Sequence, residues 1–173
     1  MTIHHAPAAT TPHLGRYTVD TDGSSVTFRT RHMFGLGPVR GRFALRSGVV
    51  DVAEPIGESR VRVEVEVATF HTRNPVRDSA VCSAKFLDAE HHPLITFDSA
   101  RLDGTTLAGE LTAHGVTLPA SFAIDPDSVR VTQGSFTAKA TARIDRTEFG
   151  VTAMRGMAGR YLDVTVEVRC VKK

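Results

Sequence analysis

The 173-residue chain is poor in the residue types on which many site predictions depend. It has no Trp, two Cys, and two Tyr against nine Phe, so most of its aromatic surface lacks a polar group. Cys82 and Cys170 match no metal-binding spacing, and in a reducing compartment we expect both thiols to be free. The formal net charge of +2 is too small to favour a nucleic-acid partner.

The sequence also lacks targeting and membrane-spanning signals. No run approaches the roughly 20 apolar residues that a transmembrane helix needs. The first residues, MTIHHAPAATTPHLG, have neither a basic start nor a continuous apolar segment, so they are not typical of a secretory signal. We therefore expect residues 1–14 to form a flexible arm, residues 15–173 to form one domain, and the protein to stay in the cytoplasm.

What the sequence does contain, along its whole length, is the period-two alternation of half-buried β-strands. The clearest run, residues 61–67, alternates valine with charged residues. Only residues 75–86 have apolar side chains at helical spacing, and Pro75 suits a first helical turn. We expect a chain break at residues 125–127 and eight strands in all, which predicts an all-β, antiparallel eight-stranded barrel with one short helix.

The seventh predicted strand bears on whether this barrel is filled or hollow. Its inward phase reads Phe136, Ala138, Ala140, Ala142 and Ile144, and Gly41 and Gly109 also fall on inward phases. Small residues leave volume unfilled, which destabilises a well-packed core by about 24 cal/mol per Å³. Either a ligand occupies that volume, or phenylalanines of the opposite wall fill it, namely Phe28, Phe43, Phe97 and Phe122. The pattern favours a cavity without deciding between the two.

A set of short motifs supports a more specific interpretation. In chain order they are Tyr17-Thr-Val-Asp20, Ser25-Val-Thr-Phe28, His32-Met-Phe-Gly-Leu-Gly-Pro-Val-Arg-Gly-Arg-Phe43, Arg77-Asp78, Lys85-Phe86-Leu-Asp88, Pro93-Leu-Ile-Thr-Phe97-Asp-Ser99, Gly109-Glu-Leu-Thr-Ala-His114-Gly115-Val-Thr-Leu-Pro119 and Ile144-Asp-Arg146-Thr-Glu-Phe149-Gly150. Their order and spacing over residues 16–171 resemble the YceI family of polyisoprenoid-binding, lipocalin-like bacterial proteins. The resemblance implies a lipocalin-like barrel whose internal apolar tunnel holds an isoprenoid or similar lipid.

Nine residues are candidates for contact with such a ligand. They are Phe28, His32, Phe43, Phe97, Phe136, Ala138, Ala140, Ala142 and Arg146. The phenylalanines and alanines are chosen for their inward phase. His32, at a strand end beside a glycine turn, either meets a polar head group or bonds to nearby backbone. An inward Arg146 needs an anion or a partner such as Asp78.

The first hypothesis is therefore a protein that binds and carries or sequesters a long apolar lipid of the polyisoprenoid, isoprenoid-quinone or fatty-acyl type. It involves no catalysis, cofactor or metal. The second is a metal-assisted enzyme that uses barrel histidines, namely His32, His71, His91, His92 and His114. Adjacent His91 and His92 would point to opposite faces of a strand, and no HExxH or CxxC motif is present. The third is a stress-related interaction module in which the lipid is only structural.

Three charged or turn-forming features complete the predictions. Arg77 and Asp78 are expected to pin a loop by hydrogen bonds, and His114-Gly115 to form a turn. Four arginines flank one hairpin on its outer face, namely Arg29, Arg31, Arg40 and Arg42. They are either an ordinary solvated strand face or a surface for transient contact with phosphate-bearing membranes. The sequence leaves a monomer or a homodimer open.

Overall fold

The computed structural model describes residues 11–32, 37–154 and 156–173, with His32 described by its backbone alone. The strands are β1 (Gly15–Val19), β2 (Ser25–His32), β3 (Gly37–Val52), β4 (Arg60–His71), β5 (Leu94–Asp103), β6 (Thr106–Ala113), β7 (Val116–Val131), β8 (Ser135–Asp145) and β9 (Tyr161–Lys172). Helix α1 spans Pro75–Cys82, and two 3₁₀ helices span Ile56–Glu58 and Arg146–Phe149. No helix in these ranges is both long enough and apolar enough to cross a bilayer.

The strands close into an antiparallel barrel with eight strand positions. Strand β3 pairs with β2 on one side and β4 on the other, so the sheet meets itself. Strands β1 and β2 share one position, because each lies between β3 and β9. Tyr17 of β1 faces Val50 and Lys172, and Phe28 of β2 faces Gly41 and Val164. The predicted all-β barrel with one short helix is confirmed.

The break between β1 and β2 is a turn that Asp20 holds. Its Oδ1 accepts hydrogen bonds from the backbone N–H groups of Asp22 and Gly23, both at 3.2 Å. Its Oδ2 accepts a bond of 3.0 Å from Nη1 of Arg169 on β9. The Gly23 bond and then the Arg169 bond lower the pKa of Asp20. The chain between Gly15 and His32 therefore forms two strands in series rather than one.

The predicted chain break at residues 125–127 is wrong, because β7 continues through this segment as a bulge. The register shifts between Asp125 and Arg130. Ser128 Oγ donates to the Asp125 carbonyl at 2.6 Å and accepts from Lys139 N at 2.9 Å, which holds the bulge against β8. A bulge accommodates the missing N–H of Pro126. The hairpin turn lies later, at residues 132–134, where Thr132 N donates to the Ser135 carbonyl at 2.9 Å.

Helix α1 ends at Cys82, four residues before the predicted boundary at residue 86. The Asn74 side chain accepts from Arg77 N at 3.1 Å and caps the first turn. Arg77 and Asp78 both bind buried Thr72: Arg77 Nε donates to Thr72 Oγ1 at 2.8 Å, and Asp78 Oδ1 accepts from Thr72 N at 3.0 Å. The pair thus pins the loop after β4, through Thr72 rather than through each other.

The two cysteines differ in their surroundings, and this leads to a prediction about their reactivity. Cys170 is fully buried beside Tyr17, and burial raises the pKa of its thiol to about 12. Burial and nearby Asp78 also raise the pKa of half-buried Cys82. Because the thiolate is the reactive form, iodoacetamide at pH 8 should leave Cys170 unmodified in the folded protein and label Cys82 slowly. Peptide mass spectrometry checks this; both thiols should react in guanidinium, and fast labelling of native Cys170 would contradict the prediction.

Candidate functional site

The barrel encloses an apolar cavity of about 600 Å³ that reaches both of its ends. We call the end that carries α1 the helix end and the end where β1 begins and β9 finishes the terminal end. The helix end is lined by Phe28, Phe43, Phe70, Val81, Phe86 and Leu87, and the terminal end by Thr11, Pro12, Ile56, Leu102, Pro126 and Val129. Between them the walls are mainly Val, Leu, Phe and Ala, so the lumen is apolar along its length.

The phenylalanines predicted either to line or to fill this space lie along its walls. Phe28 stacks on Phe70 with ring centroids 5.3 Å apart, and Phe97 meets Phe122 edge-on at 4.9 Å. Phe136 packs edge-on against Tyr17 at 4.9 Å. Each of these contacts joins neighbouring or next-neighbouring strands, so the rings leave the centre of the barrel open. Phe28, Phe43, Phe97, Phe136, Ala138 and Ala140 all border the cavity.

Three of the small residues predicted to face inward do not contribute to the volume of the cavity. Ala142 packs against the cluster of Phe97, Leu107 and Phe149 and is not among the cavity-lining residues. A Cβ at Gly41 would collide with the ring of Phe28, and one at Gly109 would collide with the carbonyl oxygen of Asp98. These glycines allow close approach of neighbouring groups. The lumen comes instead from the alanines and valines of the wall, among them Ala138 and Ala140.

Arg146 lies inward at the helix end, as its phase predicts, but its partners are backbone carbonyls of the β8–β9 loop. Its Nε donates to Gly159 O at 2.7 Å, its Nη1 to Val151 O at 2.8 Å and its Nη2 to Ala158 O at 3.3 Å. The guanidinium also lies 5.7 Å from the centre of the Phe86 ring. The suggested pairing with Asp78 is wrong, because Asp78 binds Thr72. Arg146 thus organises a loop whose residues Val151, Ala158 and Gly159 line the cavity.

The start of the same loop is fixed by a second group of charges. Asp145 Oδ1 accepts from Thr147 N at 3.0 Å and caps the 3₁₀ helix, while its Oδ2 lies 2.9 Å from Arg160 Nη2. Burial raises the pKa of Asp145, but the hydrogen bonds from Arg160 and Thr147 outweigh it and lower the pKa. Residues on both sides of the loop are therefore tied to the end of β8.

A barrel of this fold is also found in known proteins. The family profile of the YceI-like domain matches residues 17–171. This chain belongs to the YceI-like domain family. A UPF0312 protein of Vibrio parahaemolyticus is 28% identical over 170 residues, which cover 91% of this chain and 87% of that protein. A UPF0312 protein of Pseudomonas putida is 28% identical over 171 residues, with 91% and 86% covered.

Two solved structures share the fold of this YceI-like domain at low sequence identity. BcnA of Burkholderia cenocepacia aligns with a TM-score of 0.74 and 18% identity over 87% of this chain and 98% of that one. A polyisoprenoid binding domain from Saccharophagus degradans, implicated in plant cell wall breakdown, aligns with a TM-score of 0.71 and 13% identity over 93% and 100%. At these identities the likeness shows the fold alone.

The histidines of this YceI-like domain are spread over separate places at the helix end. His114, at a φ of 53°, forms the predicted turn with Gly115, and its Nδ1 lies 3.1 Å from the Phe149 carbonyl oxygen. The His92 ring packs edge-on against the His114 ring at 5.1 Å. His91 pairs with Asp88 and His71 with Asp78. The side chain of His32 lies outside the described residues, and the described ones contain no group of three or more potential metal ligands.

Sequence alternation missed part of the lining of the YceI-like lumen. On β4 the inward phase shifts between Val67 and Phe70, because Thr69 Oγ1 donates to Glu66 O at 2.6 Å and accepts from Ala44 N at 2.8 Å. Phe70 then lines the helix end, together with residues of α1 and the segment after it. The only sequence signal for these was the Lys85-Phe86-Leu-Asp88 motif, which contains two of them.

Proposed function

We propose that this YceI-like domain binds and carries or sequesters a long apolar lipid in its lumen, without catalysis. The lipid class is polyisoprenoid, isoprenoid quinone or fatty-acyl. The observation that carries the proposal is the apolar cavity of about 600 Å³ that reaches both ends of the barrel. This volume lies inside the range of roughly 300–1,000 Å³ that is usual for small-molecule sites.

The lumen volume limits how much of the ligand it encloses. If a methylene group takes up roughly the 30 Å³ that a water takes in the liquid, 600 Å³ holds about twenty carbon atoms. A longer chain would extend from one end. Burial of apolar area contributes about 25 cal/mol per Å², so a chain of this length supplies a large driving force even after the cost of ordering it.

The polar groups that border the lumen are few. They belong to Thr11, Ser59, Thr105, Lys139 and Arg146. Two of the five are already bonded to the backbone, because Ser59 Oγ accepts from Ala53 N at 2.9 Å and Arg146 binds the carbonyls of its loop. A wall with so few polar groups selects for apolar length and shape rather than for a charged head group. The polyisoprenoid binding domain of Saccharophagus degradans, which has the same fold, supports this ligand class.

The proposal is tested by extracting protein purified without detergent with organic solvent and analysing the extract by mass spectrometry. We expect one apolar compound with about twenty or more carbon atoms, near one per chain, because the lumen is apolar and of that size. The Ala140→Phe variant, purified in parallel, should carry much less. Repeated extracts without stoichiometric lipid, together with failure to bind added geranylgeraniol or oleic acid, would contradict the proposal. A stoichiometric transition metal bound to barrel histidines would contradict its non-catalytic part.

A further inference from the structure

The outer face of the β2–β3 hairpin carries a group of four positive charges. Arg29, Arg31, Arg40 and Arg42 are all exposed, and we call them the arginine face. Arg29 and Arg40 are direct cross-strand partners, and Arg42 lies opposite Thr27. Within the described parts of the chain, Arg29, Arg40 and Arg42 form no ion pair. Like charges placed directly opposite each other on a sheet are destabilising, so the arrangement is not explained by folding.

Several arginines on other outer faces of the same barrel have acidic partners. Arg62 on β4 lies 2.7 Å from Asp98, and Arg169 on β9 lies 3.0 Å from Asp20. Asp163 on β9 is the cross-strand partner of Arg29, but its carboxylate pairs with Arg143 instead, at 3.9 Å from Nε. Neither β2 nor residues 37–46 of β3 contain an acidic residue. The arginine face is therefore the part of the hairpin surface suited to an external anion.

The position of the arginine face relates it to the lumen. Phe28 on β2 and Phe43 on β3 lie on the inner side of this hairpin and line the helix end of the lumen. His71, the cross-strand partner of Arg42, ends the strand that leads into α1. On α1, Val76 is 82% exposed. Basic side chains on β2 and β3 and an exposed apolar side chain on α1 are thus both found toward the helix end of the barrel.

We propose that the arginine face docks the protein on an anionic phospholipid bilayer, with Val76 as an apolar contact at the same end of the barrel. The inference rests on the proposed function, because a lipid carrier must exchange its ligand with a membrane. Arginine guanidinium groups bind phosphate oxygens well, and basic side chains near an anionic membrane strengthen binding additively. The exposed apolar side chain of Val76 favours a bilayer over a nucleic acid, which also fits the small net charge of +2.

The test is co-sedimentation of the full chain with phosphatidylcholine vesicles and with vesicles containing 30% phosphatidylglycerol. We expect binding to the anionic vesicles only, with affinity falling as salt increases. The double variant Arg29→Gln/Arg40→Gln should bind about twenty-five-fold more weakly, at roughly fivefold per arginine. The matched control Arg101→Gln/Arg130→Gln removes the same charge from exposed positions on β5 and β7 and should change binding less than twofold.

Several outcomes would overturn the docking surface. They are no binding of the wild type to anionic vesicles, equal binding to neutral vesicles, and equal losses in the test and control variants. Tighter binding to a mixed-sequence oligonucleotide than to the vesicles would assign the face to nucleic acid instead. Ligand content separates this inference from the proposed function: the arginine variant should keep its extracted lipid, whereas Ala140→Phe should lose the lipid and still bind vesicles.

Discussion

Ala140→Phe is expected to abolish lipid uptake and to leave the barrel folded. Ala140 lies between Ile124 of β7 and Val166 of β9, and all three residues line the lumen. A phenyl ring at this position takes up volume along the path of the ligand and meets apolar walls, so it adds apolar burial without displacing protein atoms. In a filled core the same substitution would overpack the interior and typically cost 1–3 kcal/mol.

Measurements of thermal stability and of ligand binding on the same variant distinguish a hollow barrel from a filled one. We expect a melting temperature within a few degrees of wild type and at least a tenfold loss in binding of a fluorescent fatty acid or of the extracted lipid. Thr141→Phe is the matched control, because Thr141 is the next residue on β8 and is exposed on the outer face. It should keep both properties. A strongly destabilised Ala140→Phe, or a folded one with unchanged binding, would show that this wall does not line the ligand site.

The alternation of apolar and polar residues predicted the wall around Ala140 correctly, for a simple reason. A strand has only two faces, so one run of valines or alanines assigns every residue of the run to the inside or the outside. Residues 61–67 and Phe136, Ala138 and Ala140 could be placed in this way before the pairing of strands was known. Barrel closure followed because eight such strands leave no exposed edge when they meet.

Alternation fails where an extra residue enters a strand, and this explains most of the errors. The Thr69 side chain bonds to the backbone of β4 and β3, which shifts the phase and turns Phe70 inward. Ser128 acts similarly between β7 and β8. Such bulges depend on side-chain bonds to a neighbouring strand, which the alternation within one strand does not reveal. The same holds for Gly41, whose small size accommodates the ring of Phe28 across the strand pair.

Arg146 shows a second reason why the site could not be fully predicted from the sequence. Its inward phase and its need for a partner were both predictable, because a buried guanidinium must be satisfied. The partners were not predictable, since they are carbonyls of Val151, Ala158 and Gly159 in an irregular loop. Every residue has a backbone carbonyl, so the sequence does not indicate which of them will accept a hydrogen bond. A carboxylate such as Asp78 is recognisable from its residue type. Sequence reasoning therefore suggested an anion or an acid such as Asp78, and not these backbone groups.

Arg146→Ala is expected to be the most destabilising of the substitutions considered for this chain. The side chain is only 9% exposed and donates to three carbonyls at 2.7, 2.8 and 3.3 Å. Hydrogen bonds to charged groups contribute about 1.5–3 kcal/mol each, and they are not fully additive. We therefore expect a loss of about 4 kcal/mol in the free energy of unfolding and, at about 2–4 °C per kcal/mol for a domain of this size, a melting temperature lower by roughly 10 °C.

The loss from Arg146→Ala should also be local, because the three carbonyls that it binds belong to the loop between β8 and β9. Hydrogen–deuterium exchange should show faster exchange in residues 150–160 than in β4, even at temperatures where the variant is folded. Arg143→Ala is the control: this exposed arginine lies 3.9 Å from Asp163 and 4.6 Å from the Tyr161 ring centre, and its removal should cost less than about 1 kcal/mol. If Arg146→Ala were as stable as Arg143→Ala, or if loop exchange did not change, the loop would be held by other contacts.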